Sequence, residues 1–332
     1  MSGIFQLIRA RLYPPPDPTE SFEGKTVLLT GANSGLGFEA GIKFLKLGAS
    51  ALIIGSRSLE SGNLAKAELE KRANRPDAVH VWLLDMNSFS SVLKFAERVN
   101  KEVPKLHVVL LNAGVLHRAY HVSPEGWEET LQVNTLSTAL LAVLLLPRLK
   151  DSSSASDPAH LTAVSSQQFT RVAAKDLSLT GKILHHWNDP MVFQGIKTYK
   201  ISKLLLEYVF RTIAELTRNE DGSLQLVVNS ASPGYCVSSL GRQYNRFYER
   251  WGVQLINALL ARTAEQGSRV LVSATVQGVE SHGKCWRGEG YVGESTALIH
   301  GHEGQRLRRK AWSEIIGVLR LTAPELEDLI RG

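Results

Sequence analysis

Cysteine is scarce in this chain of 332 residues, which has only Cys236 and Cys285. Two cysteines can form neither a disulfide framework nor the spacing of a zinc site, and their scarcity fits a reducing, cytoplasmic compartment. No long block of charge has one sign, so extensive disorder is not expected. The net charge of +6 includes a basic cluster at 306–310, which we interpret as a solvated helix face. A phosphate-bearing partner is the weaker interpretation of that cluster, and no nucleic-acid partner is predicted.

Signals for membrane insertion are also missing. The first 13 residues have an apolar side, but Arg9 and Arg11 interrupt it. This segment is too short to span a bilayer and lacks a signal-peptide cleavage pattern. We expect no transmembrane segment and expect the N-terminus to pack on the surface of the domain, with peripheral membrane contact as the alternative.

A glycine-rich turn follows the first short apolar run. Gly31, Gly35 and Gly37 lie between the apolar residues 27–29 and an amphipathic segment that begins at Phe38. The N–H groups of such a turn and the positive end of the following helix suit a pyrophosphate, and the missing Cβ atoms let phosphates approach. The spacing alone is not specific, because a turn can need glycine for its own conformation.

Apolar runs and amphipathic segments alternate along the chain, which predicts an α/β fold. We expect a Rossmann-type, doubly wound parallel sheet of about seven strands with helices on both faces. Helices are predicted at 59–73, 125–149 and 197–218, and one is predicted from Ser88, as N-cap, through Val99. Six strands can be located, at 27–29, 51–54, 79–84, 107–111, 161–165 and 224–229.

The chain shows no internal repeat and no change of composition that marks a second domain. We therefore predict an N-terminal extension over 1–23 and a single domain over 24–332. Within that domain we expect a substrate lid at about 235–290 and a helical extension at about 304–332.

Small or polar residues follow five of the predicted strands. The carboxyl ends of parallel strands share one edge of the sheet, and ligands of open α/β sheets bind there. A cofactor cleft explains this repeated pattern better than chance does. The residues are Arg57, Asp85, Asn112, Ser166 and Pro233-Gly234.

Arg57 bears on the choice of cofactor. It lies 20 residues after Gly37, where a carboxylate would bind the ribose 2′-hydroxyl of NAD. No Asp or Glu lies between Ala49 and Leu59, and a guanidinium suits a 2′-phosphate. The sequence therefore predicts NADP(H), and an arginine paired with a helix carboxylate is the alternative.

Tyr199 and Lys203 are four residues apart and share one face of a predicted helix. An ammonium near a phenol stabilises the phenolate, so we expect a lowered pKa for Tyr199 and proton exchange with an alcohol or carbonyl oxygen. Ser166, at a strand end, strengthens this interpretation over that of a surface pair. Ser165, the residue before it, is the rival candidate for the role of Ser166.

These motifs resemble the short-chain dehydrogenase/reductase family, in particular its fungal secondary-metabolism reductases and its retinol-dehydrogenase-like group. The resemblance covers roughly residues 24–300, with the motifs in the expected order. Leu111 and Ser238 stand where the family usually has asparagine and threonine. The motifs are Thr30-Gly-Ala-Asn-Ser-Gly-Leu-Gly37, Asn112-Ala-Gly114, Asn134, Ser165-Ser166, Tyr199-x3-Lys203 and Pro233-Gly234.

The resemblance implies catalytic roles for four residues. Tyr199 would be the general acid in reduction and the general base in oxidation, and Lys203 would hold the nicotinamide ribose and tune Tyr199. Ser166 would stabilise charge on the substrate oxygen, and Asn134 would hold a water in a proton relay.

The resemblance also implies a set of cofactor contacts. Within it, residues 34–36 would face the phosphates, Asp85 the adenine and Asn112 the ribose. The set is Gly31, Ser34, Gly35, Leu36, Gly37, Arg57, Asp85, Asn112, Tyr199, Lys203, Pro233, Gly234, Cys236 and Ser238.

Together these features predict NADPH-dependent hydride transfer to or from a carbonyl or alcohol of a bulky hydrophobic small molecule, in secondary metabolism. The alternative is a noncatalytic NADP(H)-binding protein that acts as a regulator or directs a cyclisation. Loss of one of the four catalytic residues would favour this alternative, but the sequence retains all four. A sugar-nucleotide epimerase would need a larger C-terminal domain. Aromatic residues are candidates for the substrate lining and lid, with ordinary core positions as the alternative for several of them: Trp187, Phe193, Tyr235, Tyr244, Phe247, Tyr248 and Trp251.

Two further expectations concern metals and assembly. His185 and His186 are adjacent, point in different directions and have no third ligand nearby, so no metal site is predicted. By analogy with the family, a homo-oligomer would use the predicted helices 125–149 and 197–218.

Overall fold

A computed structural model describes residues 3–177, 180–237 and 260–331. In this part of the chain, one sheet of eight strands has the order β3-β2-β1-β4-β5-β6-β7-β8. All neighbouring strands are parallel except β7 and β8. The predicted doubly wound α/β fold is confirmed, with one strand more than expected. The strands are β1 Thr26–Thr30, β2 Ala51–Ser56, β3 Val79–Leu83, β4 Val108–Leu111, β5 His160–Val164, β6 Val227–Ala231, β7 Cys285–Trp286 and β8 Tyr291–Val292.

Helices cover both faces of this sheet. The helix Glu129–Ser152 is continuous and includes a π-helical turn at Gln132–Ser137. The helices are α1 Gly3–Leu12, α2 Gly35–Lys46, α3 Leu59–Ala73, α4 Phe89–Glu102, α5 Glu129–Ser152, α6 Ile183–Trp187, α7 Gly195–Leu216, α8 Ala264–Ala274, α9 Ala297–His300, α10 His302–Leu319 and α11 Leu326–Arg331.

Local capping explains where α3 and α4 begin. The Ser58 side chain accepts a hydrogen bond from the N–H of Ser61, and α3 has the predicted bounds. The Ser88 side chain likewise accepts from the N–H of Ser91, so the predicted N-cap is confirmed. The helix after Ser88 continues three residues beyond the expected Val99.

Two predicted boundaries are wrong because a turn occupies the expected start of the element. Gly126, with φ of 80°, lies in a tight turn, and the Glu128 carboxylate then accepts from the N–H of Leu131, so α5 begins at Glu129 rather than at 125. Leu224 pairs with Arg218 in an isolated antiparallel bridge that closes the turn after α7. The strand β6 therefore begins at Val227 rather than at 224.

Each face of the sheet has its own hydrophobic core, one with α2, α3 and α8 and the other with α4, α5, α7 and α10. The helix α5 is long and apolar enough to cross a membrane, but 94% of its apolar window is buried among described residues, as in the core helix of a globular domain. The helix α10 packs its buried residues Leu307, Ala311, Ile315 and Leu319 toward α7, and α11 packs on α5. The two C-terminal helices thus pack on the two long helices that analogy assigns to subunit contact, and a homo-oligomer stays a prediction.

The structure describes only part of the predicted lid region at 235–290. Part of it belongs to the scaffold, because α8 packs on α2 and β7 pairs with β6. Residues 238–259, with four of the predicted lid aromatics, lie outside the described residues. Next to that gap, the backbone of Ala261 accepts a hydrogen bond from Arg11 of α1, and the Arg262 side chain donates to Ala10 O.

Candidate active site

The glycine turn between β1 and α2 needs glycine at three positions. Gly31 and Gly35 have φ of 68° and 62°, in the left-handed region that disfavours side chains. A Cβ at Gly37 would lie 2.3 Å from Gly31 O and 2.4 Å from Asn112 Nδ2. The sequence therefore keeps this turn compact and its backbone accessible.

Asn112 fixes the same turn from the end of β4. Its Nδ2 donates to Thr30 O and to Gly31 O, each at 3.0 Å, and the next residue, Ala113, donates its N–H to Thr30 Oγ1. The predicted position of Asn112 beside the ribose stays a prediction. Its side chain joins the ends of β1 and β4 and shapes the turn.

The start of α2 has the features of an anion site. The helix begins at Gly35, its first turn contains no acidic residue, and the N-cap Ser34 makes no side-chain cap hydrogen bond. Ser34 is exposed, and Gly35 and Leu36 are half-buried. A helix N-terminus next to a turn that a Cβ would fill fits the pyrophosphate of a dinucleotide.

The ends of β2 and β3 lie beside this turn in the sheet. Arg57 is exposed, and among the described residues none forms an ion pair or hydrogen bond with its guanidinium. Asn33 Nδ2 donates to Ser56 Oγ at 2.9 Å and so ties the glycine turn to the end of β2. Asp85 follows β3, where its carboxylate accepts from the N–H of Asn87.

Ser166 and Tyr199 come together at the end of β5. The Ser166 side chain caps the short 3-10 turn Gln167–Arg171, and its hydroxyl is close enough to the phenol of Tyr199, on α7, to favour a lower pKa of that phenol. The neighbouring Ser165 is buried, and its hydroxyl has no hydrogen-bond partner within the described part of the chain. The structure thus places Ser166, and not its rival, against Tyr199.

The expected lowering of the Tyr199 pKa is wrong for this structure. Burial of the phenol raises its pKa, and the nearby Ser166 hydroxyl opposes that rise. The Lys203 ammonium lies 5.8 Å from the centre of the Tyr199 ring and donates to Val164 O at 2.8 Å. The ammonium is thus directed at that carbonyl, and burial is the larger influence on the pKa of the phenol.

Lys203 is buried one helical turn beyond Tyr199. Burial lowers its pKa to about 8, and Glu207 is the larger of the influences that act in the opposite direction. Gly114 makes room at this point, because a Cβ there would lie 3.7 Å from Lys203 Nζ and 3.2 Å from Asn134 Oδ1.

Asn134 lies in the π-helical turn of α5 and links three segments. Its Oδ1 accepts from the N–H of Val115, and its Nδ2 donates to Val115 O and to Ser202 Oγ. The Ser202 hydroxyl in turn donates to Tyr199 O. The side chain of Asn134 therefore positions the helix that contains Tyr199, and its role in a water relay stays a prediction. Sequence reasoning missed Ser202, although it lies inside the Tyr-x3-Lys motif.

The remaining predicted cofactor contacts follow β6. Pro233 is buried, Gly234 has φ of 81°, and the Cys236 thiol donates to Pro233 O at 3.3 Å. Burial raises the pKa of Cys236 to about 12, so this thiol is not a nucleophile at neutral pH. Ser238 lies outside the described residues.

One of the aromatic residues predicted for the substrate lining belongs to the core. Trp187 is 2% exposed and donates its Nε1–H to Asp176 O. Phe193 packs edge-on against Tyr120, and Tyr235 is exposed in the segment after β6. Among the described residues, no group of three or more His, Cys, Asp or Glu side chains could hold a metal ion.

An open cavity of about 530 Å³ lies at the start of α7. Its lining includes residues 194–197 and 200–201, shortly before and after Tyr199 in the sequence. Its wall combines apolar side chains with several cationic ones, and Asp176 there forms an ion pair with Lys197 at 2.8 Å. The lining residues are His117, Arg118, Arg171, Val172, Asp176, Gln194, Gly195, Ile196, Lys197, Lys200 and Ile201.

A doubly wound sheet with a glycine turn, and a hydroxyl, phenol and ammonium at the same sheet edge, defines a nucleotide-dependent oxidoreductase class. The family model described as short chain dehydrogenase matches residues 25–171. The chain is 43% identical to the short-chain dehydrogenase/reductase ffsI of Aspergillus flavipes over 323 residues, which is 97% of this chain and 93% of that protein. It is also 43% identical to phmF of Phaeosphaeria nodorum, over 96% of this chain and 93% of that protein.

Solved structures agree with this fold. An NADP active-site complex of Pseudomonas aeruginosa RhlG, 22% identical, covers 81% of this chain and 96% of its own, with a TM-score of 0.58. The protein therefore belongs to the short-chain dehydrogenase/reductase family and is an oxidoreductase. The resemblance to fungal members is confirmed.

Proposed function

We propose that the protein is an NADP(H)-dependent reductase of a carbonyl group on a bulky, largely hydrophobic small molecule, and that it works in secondary metabolism. One observation carries the proposal: the Tyr199 phenol meets the Ser166 hydroxyl one helical turn from a buried lysine. The fungal relatives support the place in secondary metabolism, and Val172, Ile196 and Ile201 in the otherwise polar cavity wall support an apolar part of the substrate.

The residues present fit a dinucleotide. The turn Gly31 to Gly37 would hold the pyrophosphate, Asp85 the adenine, and Lys203 the nicotinamide ribose. When bound, the nicotinamide supplies or accepts the hydride.

Side chains of this chain would supply the proton and stabilise the charges that form during its transfer. Because burial raises the pKa of Tyr199, the phenol is protonated at neutral pH and can donate to a carbonyl oxygen as that oxygen gains charge. The Ser166 hydroxyl would donate a second hydrogen bond to the same oxygen. The Lys203 ammonium would then stabilise the phenolate that remains.

A conservative variant tests the catalytic proposal. Tyr199→Phe keeps the ring and removes the proton donor, so kcat should fall by about 10² to 10⁴-fold while NADPH binding, followed by fluorescence, is retained. The substrate panel should pair neutral hydrophobic ketones with their carboxylated analogues, because the cavity wall is partly cationic. A wild-type protein that binds NADPH and reduces no member of a broad panel would refute the proposal and favour a noncatalytic role.

Preference for NADP(H) rests on Arg57 and is supported by NADP complexes among the solved relatives. Arg57→Glu should weaken NADPH binding much more than NADH binding, since it replaces the partner of the 2′-phosphate by a like charge. Arg98→Glu, at another exposed arginine that pairs with Glu102 on α4, is the matched control. Equal Michaelis constants of the wild type for NADH and NADPH would contradict the preference.

A further inference from the structure

Four ionisable residues follow one another at spacings of four along α7: Tyr199, Lys203, Glu207 and Arg211. This spacing places them on one helix face. Tyr199 is half-buried, whereas the relative exposures of Lys203, Glu207 and Arg211 are only 4%, 1% and 8%. Burying a carboxylate this completely is costly unless charged and hydrogen-bonding partners offset the cost.

Glu207 has partners of both kinds. Its Oε1 accepts a hydrogen bond from Ser230 Oγ of β6 at 2.8 Å. The thiol of Cys285, on the neighbouring strand β7, contacts both Glu207 and Ser230. Lys203 and Arg211 lie one turn away on either side along α7. The carboxylate is therefore fixed under the sheet, between two cations.

The two cations differ in their other partners. Arg211 has a counter-ion of its own, because its Nη2 lies 2.6 Å from Glu294 Oε1, and Glu294 in turn contacts His300. Lys203 Nζ donates to the neutral Val164 O, and among the described residues it forms no ion pair within 4.0 Å. Glu207 is the acidic residue whose charge favours the ammonium form of Lys203.

We propose that Glu207 is the counter-ion of Lys203, a positioning residue that keeps the ammonium charged beneath Tyr199. The inference rests on the proposed function, because a charged Lys203 matters for stabilising a phenolate. Charges in a buried row interact over several ångströms with little screening, so direct contact is not required. The titratable groups that face this pair are Tyr199 and Arg211 on α7 and Cys285 on β7.

Glu207→Gln tests the proposal because it keeps the shape of the side chain and an oxygen that can accept from Ser230, but removes the charge. The direct measurement is an NMR titration of lysine labelled with ¹³C at Cε, with the Lys203 signal assigned by its loss in Lys203→Arg. We expect the Lys203 pKa to fall by about one unit or more in Glu207→Gln, which is about a tenfold change in the charged fraction above that pKa.

The same change should appear in the reaction. The falling limb of the kcat profile for carbonyl reduction should move to lower pH by a similar amount, and Glu207→Gln should approach wild-type rates near pH 6. Glu207→Asp should restore part of the profile, because it restores the charge. Glu215→Gln, an exposed glutamate two turns further along α7 that pairs with Arg308, is the matched control and should change nothing.

A folded Glu207→Gln variant with the wild-type Lys203 pKa would overturn the inference, and so would an unmoved kcat profile. Melting temperature and NADPH binding establish that the variant is folded, and Glu207→Met, which also removes the charge at similar volume, takes its place if it is not. The two proposals fail in different ways. An inactive wild type refutes the proposed function, whereas an active wild type with an unchanged Glu207→Gln titration refutes only this inference.

Discussion

Replacing Gly37 by alanine should damage the nucleotide turn more than its small size suggests. The added Cβ would lie 2.3 Å from Gly31 O and 2.4 Å from Asn112 Nδ2, where real contacts need at least 3.0 Å. Neither atom can move alone, because Nδ2 donates to both Thr30 O and Gly31 O. The turn must therefore open by about 0.7 Å, and overpacking of this kind costs about 1–3 kcal/mol.

If that cost falls on the binding-competent turn, the Kd for NADPH should rise by about 5- to 150-fold in Gly37→Ala. Fluorescence titration with NADPH measures the change, and thermal unfolding measures any loss of stability. Gly41→Ala, one turn further along α2, is the control, because its Cβ would meet side-chain carbons such as Leu69 Cδ2 at 3.0 Å, which can move. Equal NADPH affinities of the two variants would refute the argument that the turn has no room.

Three further predictions concern stability, membranes and assembly. Burial lowers the pKa of His160 from 6.5 to about 4, so the unfolded chain binds a proton at this residue before the folded one does. The free energy of unfolding in urea should therefore fall by about 2 kcal/mol between pH 7 and pH 5 in the wild type but not in His160→Gln. Equal pH dependence of the two proteins would contradict this. Phe5 on the basic helix α1 is 68% exposed, so Phe5→Glu should reduce the fraction of protein that sediments with phosphatidylserine vesicles. Leu321→Glu, at a leucine that is 84% exposed, is the control and should not reduce it. A wild type that does not sediment with the vesicles would contradict membrane contact. Because α10 and α11 cover α7 and α5, light scattering should give the mass of a monomer, and a dimer mass would show that another surface mediates assembly.

Local signals were sufficient to predict several elements. The helix α3 has its predicted bounds because both ends are set by residues visible in the sequence, with Ser58 as a side-chain N-cap and Asn74 in a left-handed C-cap conformation. The meeting of Ser166 and Tyr199 could also be anticipated, since one lies at a strand end and the other on a helix that packs on the same sheet edge.

Side-chain direction could not be predicted in the same way. The Tyr-x3-Lys spacing does not show how deeply the phenol is buried or where Lys203 points, and only the fold shows that burial raises the pKa of Tyr199 and that Lys203 donates to Val164 O. Trp187 fits an aromatic pocket as well as a core, and its burial depends on how the segment before α7 folds back. The amide of Asn112 is held by the turn of another strand, which no spacing indicates.

Burial has opposite effects on the two reactive groups of α7, and this opposition explains why the row of charges continues beyond them. It raises the pKa of Tyr199, which favours a proton donor, but it lowers the pKa of Lys203 to about 8, which works against a charged ammonium. A buried site that needs both groups protonated must therefore supply a negative charge near the lysine and none near the phenol. Glu207 lies one turn beyond Lys203 and two beyond Tyr199, so its field acts more strongly on the lysine. The Tyr-x3-Lys motif is thus better described, in this chain, as the first half of a buried row that ends at Arg211.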